Sequence, residues 1–112
     1  MLMADGQMLS ECFADSAILQ TIDTKKGVVV KTDAISNFAK LVTGLKKNSA
    51  DERITFKTVQ IDADLASVWT SYKFYYNGNF SHCGVNSFQL VRMNGIWKIQ
   101  YLIDTRRKDG CQ

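Results

Sequence analysis

The side chains best suited to chemistry in this sequence lie in its second half. His82 is the only histidine among the 112 residues, and histidine is the only side chain whose unperturbed pKa lies near neutrality. It is therefore the candidate general acid or base. Asn86 follows at an even spacing, which places two strand residues on the same face of a sheet. The pair predicts a polar site on a β-sheet, and a histidine held only by a structural hydrogen bond remains the alternative.

The strands that hold these residues follow a period-two pattern rich in β-branched and aromatic residues, which predicts strands over residues 53–62, 65–76, 80–93 and 96–105. Asn94-Gly95 suits a two-residue type I′ turn, and Asn77-Gly78-Asn79 offers the same chemistry in either of two positions. The second half of the chain is therefore predicted to be an antiparallel meander.

The first half predicts two helices and two short strands. A short helix is expected over residues 5–13, and strands over 17–23 and 28–31. A longer helix is expected to start at Thr32 as the N-cap, and its apolar positions are Ile35, Phe38, Leu41, Val42 and Leu45. Residues 1–112 are predicted to form a single α+β domain, because neither a linker nor an internal repeat interrupts them.

Turn position predicts which side chains share a sheet face. A two-residue loop at Asn94-Gly95 pairs Asn86 with Ile103 and Phe88 with Tyr101. With a two-residue loop at either Asn77-Gly78 or Gly78-Asn79, one face is predicted to carry the candidate ligand-binding residues Trp69, Tyr75, His82, Asn86, Phe88, Trp97 and Tyr101. Aromatic rings that fill this space as an ordinary core are the alternative interpretation.

A catalytic histidine generally needs an orienting partner. The predicted register sends the carboxylate of Asp104 to the face opposite His82, so the sequence predicts no acid–base dyad. Two arrangements remain open. Glu11, Asp15 or Asp23 could reach the pocket mouth, or a β-bulge near the end of the last strand could turn Asp104 inward.

Composition narrows the function classes. The net charge of +3 is spread over short basic pairs and triplets, which disfavours nucleic-acid binding. The cysteines Cys12, Cys83 and Cys111 are odd in number and widely spaced, so reduced thiols are predicted, with neither a disulfide framework nor a metal site. No cofactor is predicted. Without an apolar run of transmembrane length or a signal-like start, a cytoplasmic location is expected.

The sequence resembles the SnoaL-like and lumazine-binding branch of the nuclear transport factor 2 superfamily. Four segments carry the resemblance: Phe13-Ala14-Asp15, the strand around Trp69, the run from His82 to Phe88, and the hairpin Gly95-Ile96-Trp97-Lys98-Ile99 with Ile103-Asp104-Thr105-Arg106 after it. The resemblance implies a cystatin-like α+β barrel, in which a cone-shaped, curved antiparallel sheet packs on helices. Most of the superfamily's first helix has no counterpart here.

Three functions follow as expectations. The first is binding of a small apolar or aromatic molecule in the pocket. The second, which the resemblance implies, is a cofactor-free isomerase, dehydratase or hydrolase that uses His82 as its acid–base group. The third is a structural or interaction module with a filled cone. A homodimer or higher homo-oligomer is expected through the outer sheet face, which is predicted to carry Val68, Tyr72, Phe74, Val85, Val91 and Leu102.

Overall fold

The protein is built on one six-stranded sheet. A computed structural model describes residues 12–35 and 50–111, and for residues 50 and 51 the backbone alone. The strands are β1 (Phe13–Asp23), β2 (Val29–Asp33), β3 (Ala50–Asp62), β4 (Leu65–Tyr76), β5 (Asn79–Met93) and β6 (Ile96–Thr105). They lie in the order β2-β1-β6-β5-β4-β3. The pair β1 and β6 is parallel, and the other four pairs are antiparallel.

Two Asn-Gly turns define the hairpins of the meander. Asn77 and Gly78 have φ of 51° and 80°, and Asn94 and Gly95 have φ of 53° and 78°. Positive φ at both central residues is the signature of the type I′ turn, whose twist matches that of the strands it joins. The predicted turn at Asn94-Gly95 is therefore confirmed, and Asn77-Gly78 is the one used of the two possible loops.

The first half of the chain differs from the prediction. β1 begins at Phe13 instead of residue 17, and β2 extends to Asp33. Thr32 and Asp33 pair with Gln20 and Leu19 of β1, so the N-cap assignment of Thr32 was wrong. The described part of the chain is nearly all strand, with Ile35 as its one helical residue. The rest of the two predicted helices, residues 5–11 and 36–47, lies outside the described residues.

Bulges change the predicted sheet faces. Phe74 pairs with His82 but Tyr75 pairs with Phe80, so Ser81 is an extra residue in β5. Leu90 pairs with Ile99 but Gln89 pairs with Tyr101, which makes Gln100 an extra residue in β6. Each bulge moves the residues beyond it to the other face, because side chains alternate along a strand. Asn86 is consequently opposite Asp104, and the predicted pairing with Ile103 was wrong.

We call the face that carries His82, Asn86 and Asp104 the inner face, because most of the buried side chains lie on it. They are Phe13, Leu19, Ala66, Thr70, Tyr72 and Asn86. Phe13 packs against Ala17, Ile35, Ile99 and Leu102 at one end of this face. The core is thus a layer on one side of the sheet, and it supports the polar residues that share that side.

The opposite side, the outer face, is less apolar than predicted. Of the six residues expected there, only Val85 and Val91 remain; Val68, Tyr72, Phe74 and Leu102 face inward. The bulges at Ser81 and Gln100 account for the exchange. Oligomerisation through the outer face stays a prediction, but four of the six apolar residues on which it rested lie on the inner face.

A disulfide joins Cys83 to Cys111, so the prediction of reduced thiols was wrong for these two residues. After β6 the chain continues beside β5, where the backbones of Cys83 and Arg107 exchange two hydrogen bonds of 2.8 Å. Gly110, with φ of 66°, then turns Cys111 back to Cys83. Within the described ranges, the model contains no helix of the length and apolarity needed to cross a membrane.

Candidate functional site

A row of polar residues crosses the inner face. Thr70 of β4 is opposite Asn86 of β5, Asn86 is opposite Asp104 of β6, and Asp104 is in register with Thr21 of β1. We call these four residues the polar row. Cross-strand neighbours have Cβ atoms about 5 Å apart, so their side chains interact directly.

Asn86 is the one amide of the polar row, and it is buried, with 6% of its surface exposed. Its Nδ2 donates to Thr70 Oγ1 at 3.3 Å and to Glu52 Oε1 at 3.4 Å. A buried amide needs such partners, because an unpaired polar group in an apolar core costs about 1–3 kcal/mol. Asn86 therefore links the polar row to the carboxylate of Glu52 in β3.

Asp104 has the least satisfied side chain of the row. Its Oδ1 is buried and has no hydrogen-bond partner in the part of the chain that the structure describes, and its Oδ2 lies 3.6 Å from Arg106 Nε. Burial raises the pKa of Asp104, and the nearby charge of Glu52 adds to the rise; a hydrogen bond from Thr21 and the charge of Arg106 oppose it. Asp104 is thus a carboxyl group in an environment that disfavours its negative charge.

His82 sits beyond the polar row on the same face. Its ring stacks on Phe74 at 5.1 Å and meets Tyr72 edge-on at 5.7 Å, while Nδ1 lies 3.0 Å from Ser81 Oγ. Burial lowers the pKa of His82, and the positive charge of Arg106 lowers it further, against the opposing effect of Asp104. The surroundings of the imidazole therefore favour its neutral form, and one ring nitrogen has a polar contact.

Tyr72 connects the site to the end of β6. Its hydroxyl donates to the backbone oxygen of Thr105 at 2.6 Å. Burial is the main cause of its raised pKa, so the phenol stays protonated and remains a donor. This bond ties the two strands together across Gly84, which lies between them.

An apolar row lies beside the polar row. Val68, Phe88, Leu102 and Leu19 are in cross-strand register, two residues along each strand from the polar row. Leu90, Ile99 and Trp97 continue the apolar surface toward the Asn94-Gly95 turn. Phe88 and Trp97 thus lie on the predicted face, and their role in binding stays a prediction.

Three predicted site residues lie on the outer face, so the prediction that they share a face with His82 was wrong. Trp69 is opposite Ser87. The Tyr101 hydroxyl donates to Gln20 Oε1 at 2.6 Å. Tyr75 meets Phe80 edge-on and lies 4.2 Å below the guanidinium of Arg53. The extra residues Ser81 and Gln100 separate these rings from His82.

The sequence did not identify Thr70, Thr21 or Glu52 as site residues, and it assigned Asp104 to the wrong face. The sequence leaves open a bulge near the end of the last strand; the structure has its bulge at Gln100, in the middle of β6, and this bulge turns Asp104 inward. The sequence carries little indication of Thr70, Thr21 and Glu52 as site residues, because a threonine or glutamate in a strand is usually an ordinary surface residue. Only the pairing of the strands shows that these three lie together. Residues 12–35 and 50–111 contain no group of three or more His, Cys, Asp or Glu side chains that could hold a metal ion.

Comparison with known proteins identifies the fold. No protein-family model matches the chain, and no curated protein matches it. Solved structures do match. An NTF2-like protein of unknown function from Shewanella baltica OS155 has a TM-score of 0.74 at 15% identity, over 95% of this chain and 81% of the other. A similar NTF2-like protein of unknown function, from Silicibacter pomeroyi DSS-3, has a TM-score of 0.73 at 14% identity, over 95% and 82%.

A third match is described as a calcium/calmodulin-dependent protein kinase II association domain from Xanthomonas campestris, with a TM-score of 0.69 at 19% identity, over 95% of this chain and 76% of the other. Together with the strand order, these likenesses define the class: this chain has the cystatin-like fold of the nuclear transport factor 2-like proteins. The resemblance noted from the sequence is confirmed at the level of fold. At such low identity, fold alone is shared.

Proposed function

We propose that the protein binds a small apolar or aromatic molecule on the inner face, and that a hydrogen-bond donor of this molecule contacts Asp104. One observation carries the proposal: Oδ1 of Asp104 is buried and has no hydrogen-bond partner among residues 12–35 and 50–111. Buried polar atoms in folded proteins are nearly always hydrogen-bonded, and each exception needs an explanation. A donor supplied by a ligand would complete the set of contacts.

The surroundings of Asp104 support this proposal. A cleft of about 420 Å³ lies at the end of the polar row formed by Thr21. Its lining includes Thr21 and Arg106, the two neighbours of Asp104, but not Asp104 itself. That volume lies within the range of roughly 300–1,000 Å³ typical of small-molecule sites. Phe88 and Leu102 supply an apolar surface on the other side of Asp104. His82 is not among the residues that line the cleft.

A pair of aromatic probes tests the role of Asp104. 2-Naphthol carries a hydroxyl donor, and 2-methoxynaphthalene has the same rings without it. We expect the wild-type protein to bind 2-naphthol roughly ten-fold more tightly, as measured by probe fluorescence, since a buried acceptor left without a hydrogen bond costs about 1–3 kcal/mol. Asp104→Ala should remove this preference.

Asp62→Ala is the matched control, because Asp62 is an exposed carboxylate at the end of β3. It should keep the preference for the hydroxyl. Equal binding of the two probes to the wild type would contradict the role of Asp104, and binding of neither would contradict an aromatic ligand at this face.

Acid–base catalysis is the second candidate, and one observation favours it. His82 and Asp104 lie on the same face, with the pKa of the histidine lowered and that of the carboxyl raised. Groups whose environments shift their pKa values in opposite directions are typical of acid–base sites. The distinction from pure binding rests on whether the two groups interact.

An NMR titration of the only histidine measures that interaction. The charge of Asp104 raises the pKa of His82 against the larger effects of burial and Arg106, so Asp104→Asn is expected to lower the pKa of His82 further. Asp62→Asn should leave it unchanged. A His82 pKa that is identical in the wild type and Asp104→Asn would show that the two groups do not interact, and would remove this candidate.

The two groups also affect stability in opposite directions. Because the pKa of His82 is lower in the folded than in the unfolded protein, its contribution to the free energy of unfolding is complete above the unfolded value of about 6.5. This contribution is lost as the pH falls toward the folded pKa. Because the folded pKa of Asp104 is raised from 3.8, its contribution is complete below that value and is lost as the pH rises through the folded value.

Compartment and assembly remain proposals. The sequence predicts a cytoplasmic location, whereas the Cys83–Cys111 disulfide supports an oxidising compartment, since structural disulfides are rare in the cytosol. For assembly into a homo-oligomer, support comes from the exposed Trp69 and Ile18 on the outer face and from the Xanthomonas protein described as an association domain.

A further inference from the structure

We infer that the outer face carries a binding site for a phosphate-type oxyanion, separate from the polar row. The site is a cavity of about 160 Å³ between β3, β4, β5 and the segment that follows β6. Its lining includes three cations, Arg53, Lys73 and Arg107, and two hydroxyls, those of Thr55 and Ser71. The Cys83–Cys111 disulfide also lines it.

The cations lie in one cross-strand row. Arg53 is opposite Lys73, Lys73 is opposite Cys83, and Cys83 is opposite Arg107. Like charges directly opposite each other in a sheet are destabilising. No described carboxylate lines the cavity, and none of the described carboxylates forms an ion pair with Lys73. A bound anion would therefore lie among three cations that the sheet register brings together.

The hydroxyls add neutral donors to this positive field. Thr55 and Ser71 form the next cross-strand pair on the outer face, one step from Arg53 and Lys73. A phosphate group offers several acceptor oxygens, which suit guanidinium and ammonium donors together with hydroxyls. The cavity is smaller than the roughly 300–1,000 Å³ typical of sites for drug-sized ligands, and its volume suits a single oxyanion or the phosphate end of an ester.

Two of the cations are held in place before any anion binds. The guanidinium of Arg53 lies over the ring of Tyr75 at 4.2 Å from its centroid. The backbone of Arg107 is paired with Cys83 by two hydrogen bonds, and its Nη2 donates to the Gly110 carbonyl at 3.2 Å. Donors that are already ordered lose less conformational entropy on binding, so preorganisation favours the anion.

Titration with inorganic phosphate, at constant ionic strength set by sodium chloride, tests the site by calorimetry and by the rise in Tm. A parallel titration with phenyl phosphate separates free phosphate from a phosphate ester as the source. We expect Lys73→Gln and Arg107→Gln each to weaken binding roughly ten-fold, because each removes a charge-assisted contact.

Lys57→Gln is the matched control, because Lys57 is an exposed bulge residue of the same strand as Arg53 and lies outside the cavity. It should bind phosphate like the wild type. Two results would overturn the proposal: a wild-type protein that responds to neither phosphate compound more than to chloride, or a loss in Lys57→Gln equal to the loss in Lys73→Gln.

Discussion

Replacing Cys111 by serine is expected to lower the free energy of unfolding by about 3–4 kcal/mol, measured by urea denaturation without reductant. The Cys83–Cys111 disulfide closes a loop with a sequence separation of 28 residues. In the chain-entropy model, a cross-link of that length removes this much conformational freedom from the unfolded chain. Cys83 is 1% exposed although it lies on the outer face, so the cross-link anchors the C-terminal segment to a buried point of β5.

Cys12→Ser is the control, because Cys12 is exposed and is not part of the disulfide. Its effect should stay within about 0.5 kcal/mol, as for most surface substitutions. The wild-type protein in strong reductant should become as unstable as Cys111→Ser. If reductant leaves the urea midpoint of the wild type unchanged, the disulfide contributes nothing and the expectation is wrong.

Gly84→Ala is expected to destabilise the protein by roughly 3 kcal/mol, the upper range for overpacking. A Cβ atom at Gly84 would overlap the backbone carbonyl of Thr105. That carbonyl has little freedom to move, since it accepts the Tyr72 hydroxyl at 2.6 Å. The side chain of Thr105 is held as well, by the backbone N–H of Val85 at 3.0 Å.

The sign of the change makes this test decisive. Where the space is open, Gly→Ala in a compatible conformation stabilises a protein by about 0.4–1 kcal/mol, because it restricts the unfolded chain. Ser87→Ala, on the outer face of the same strand, provides a control that should cost less than about 1 kcal/mol. A gain in stability for Gly84→Ala would mean that the end of β6 does not lie against Gly84.

The second half of the fold follows closely from local sequence. Asn94-Gly95 and Asn77-Gly78 adopt the predicted turns, because asparagine and glycine tolerate the positive φ that a type I′ turn requires. Pairs close to a turn, such as Met93 with Ile96, also follow from the sequence. The first half was less predictable, since Thr32 satisfies a strand and an N-cap equally well until β1 is known to pair with it.

The disulfide could not be predicted from three widely spaced cysteines. Cys83 and Cys111 meet only because the chain after β6 continues beside β5 and then turns at Gly110. The Cα atoms are then 5.9 Å apart, a separation typical of disulfides. That proximity depends on strands that lie far apart in sequence, and spacing along the chain does not report it.

Local pattern thus determined where the strands and turns of the meander lie, and it placed His82 and Asn86 on one face. Only the tertiary structure decided which other side chains lie on the same face as His82 and Asn86. A single extra residue, Ser81 in β5 or Gln100 in β6, moves every later side chain to the other face. This exchange brings Asp104 to the polar row and removes Trp69, Tyr75 and Tyr101. A bulge is selected by how neighbouring strands pack, and a period-two sequence pattern is too tolerant to reveal it.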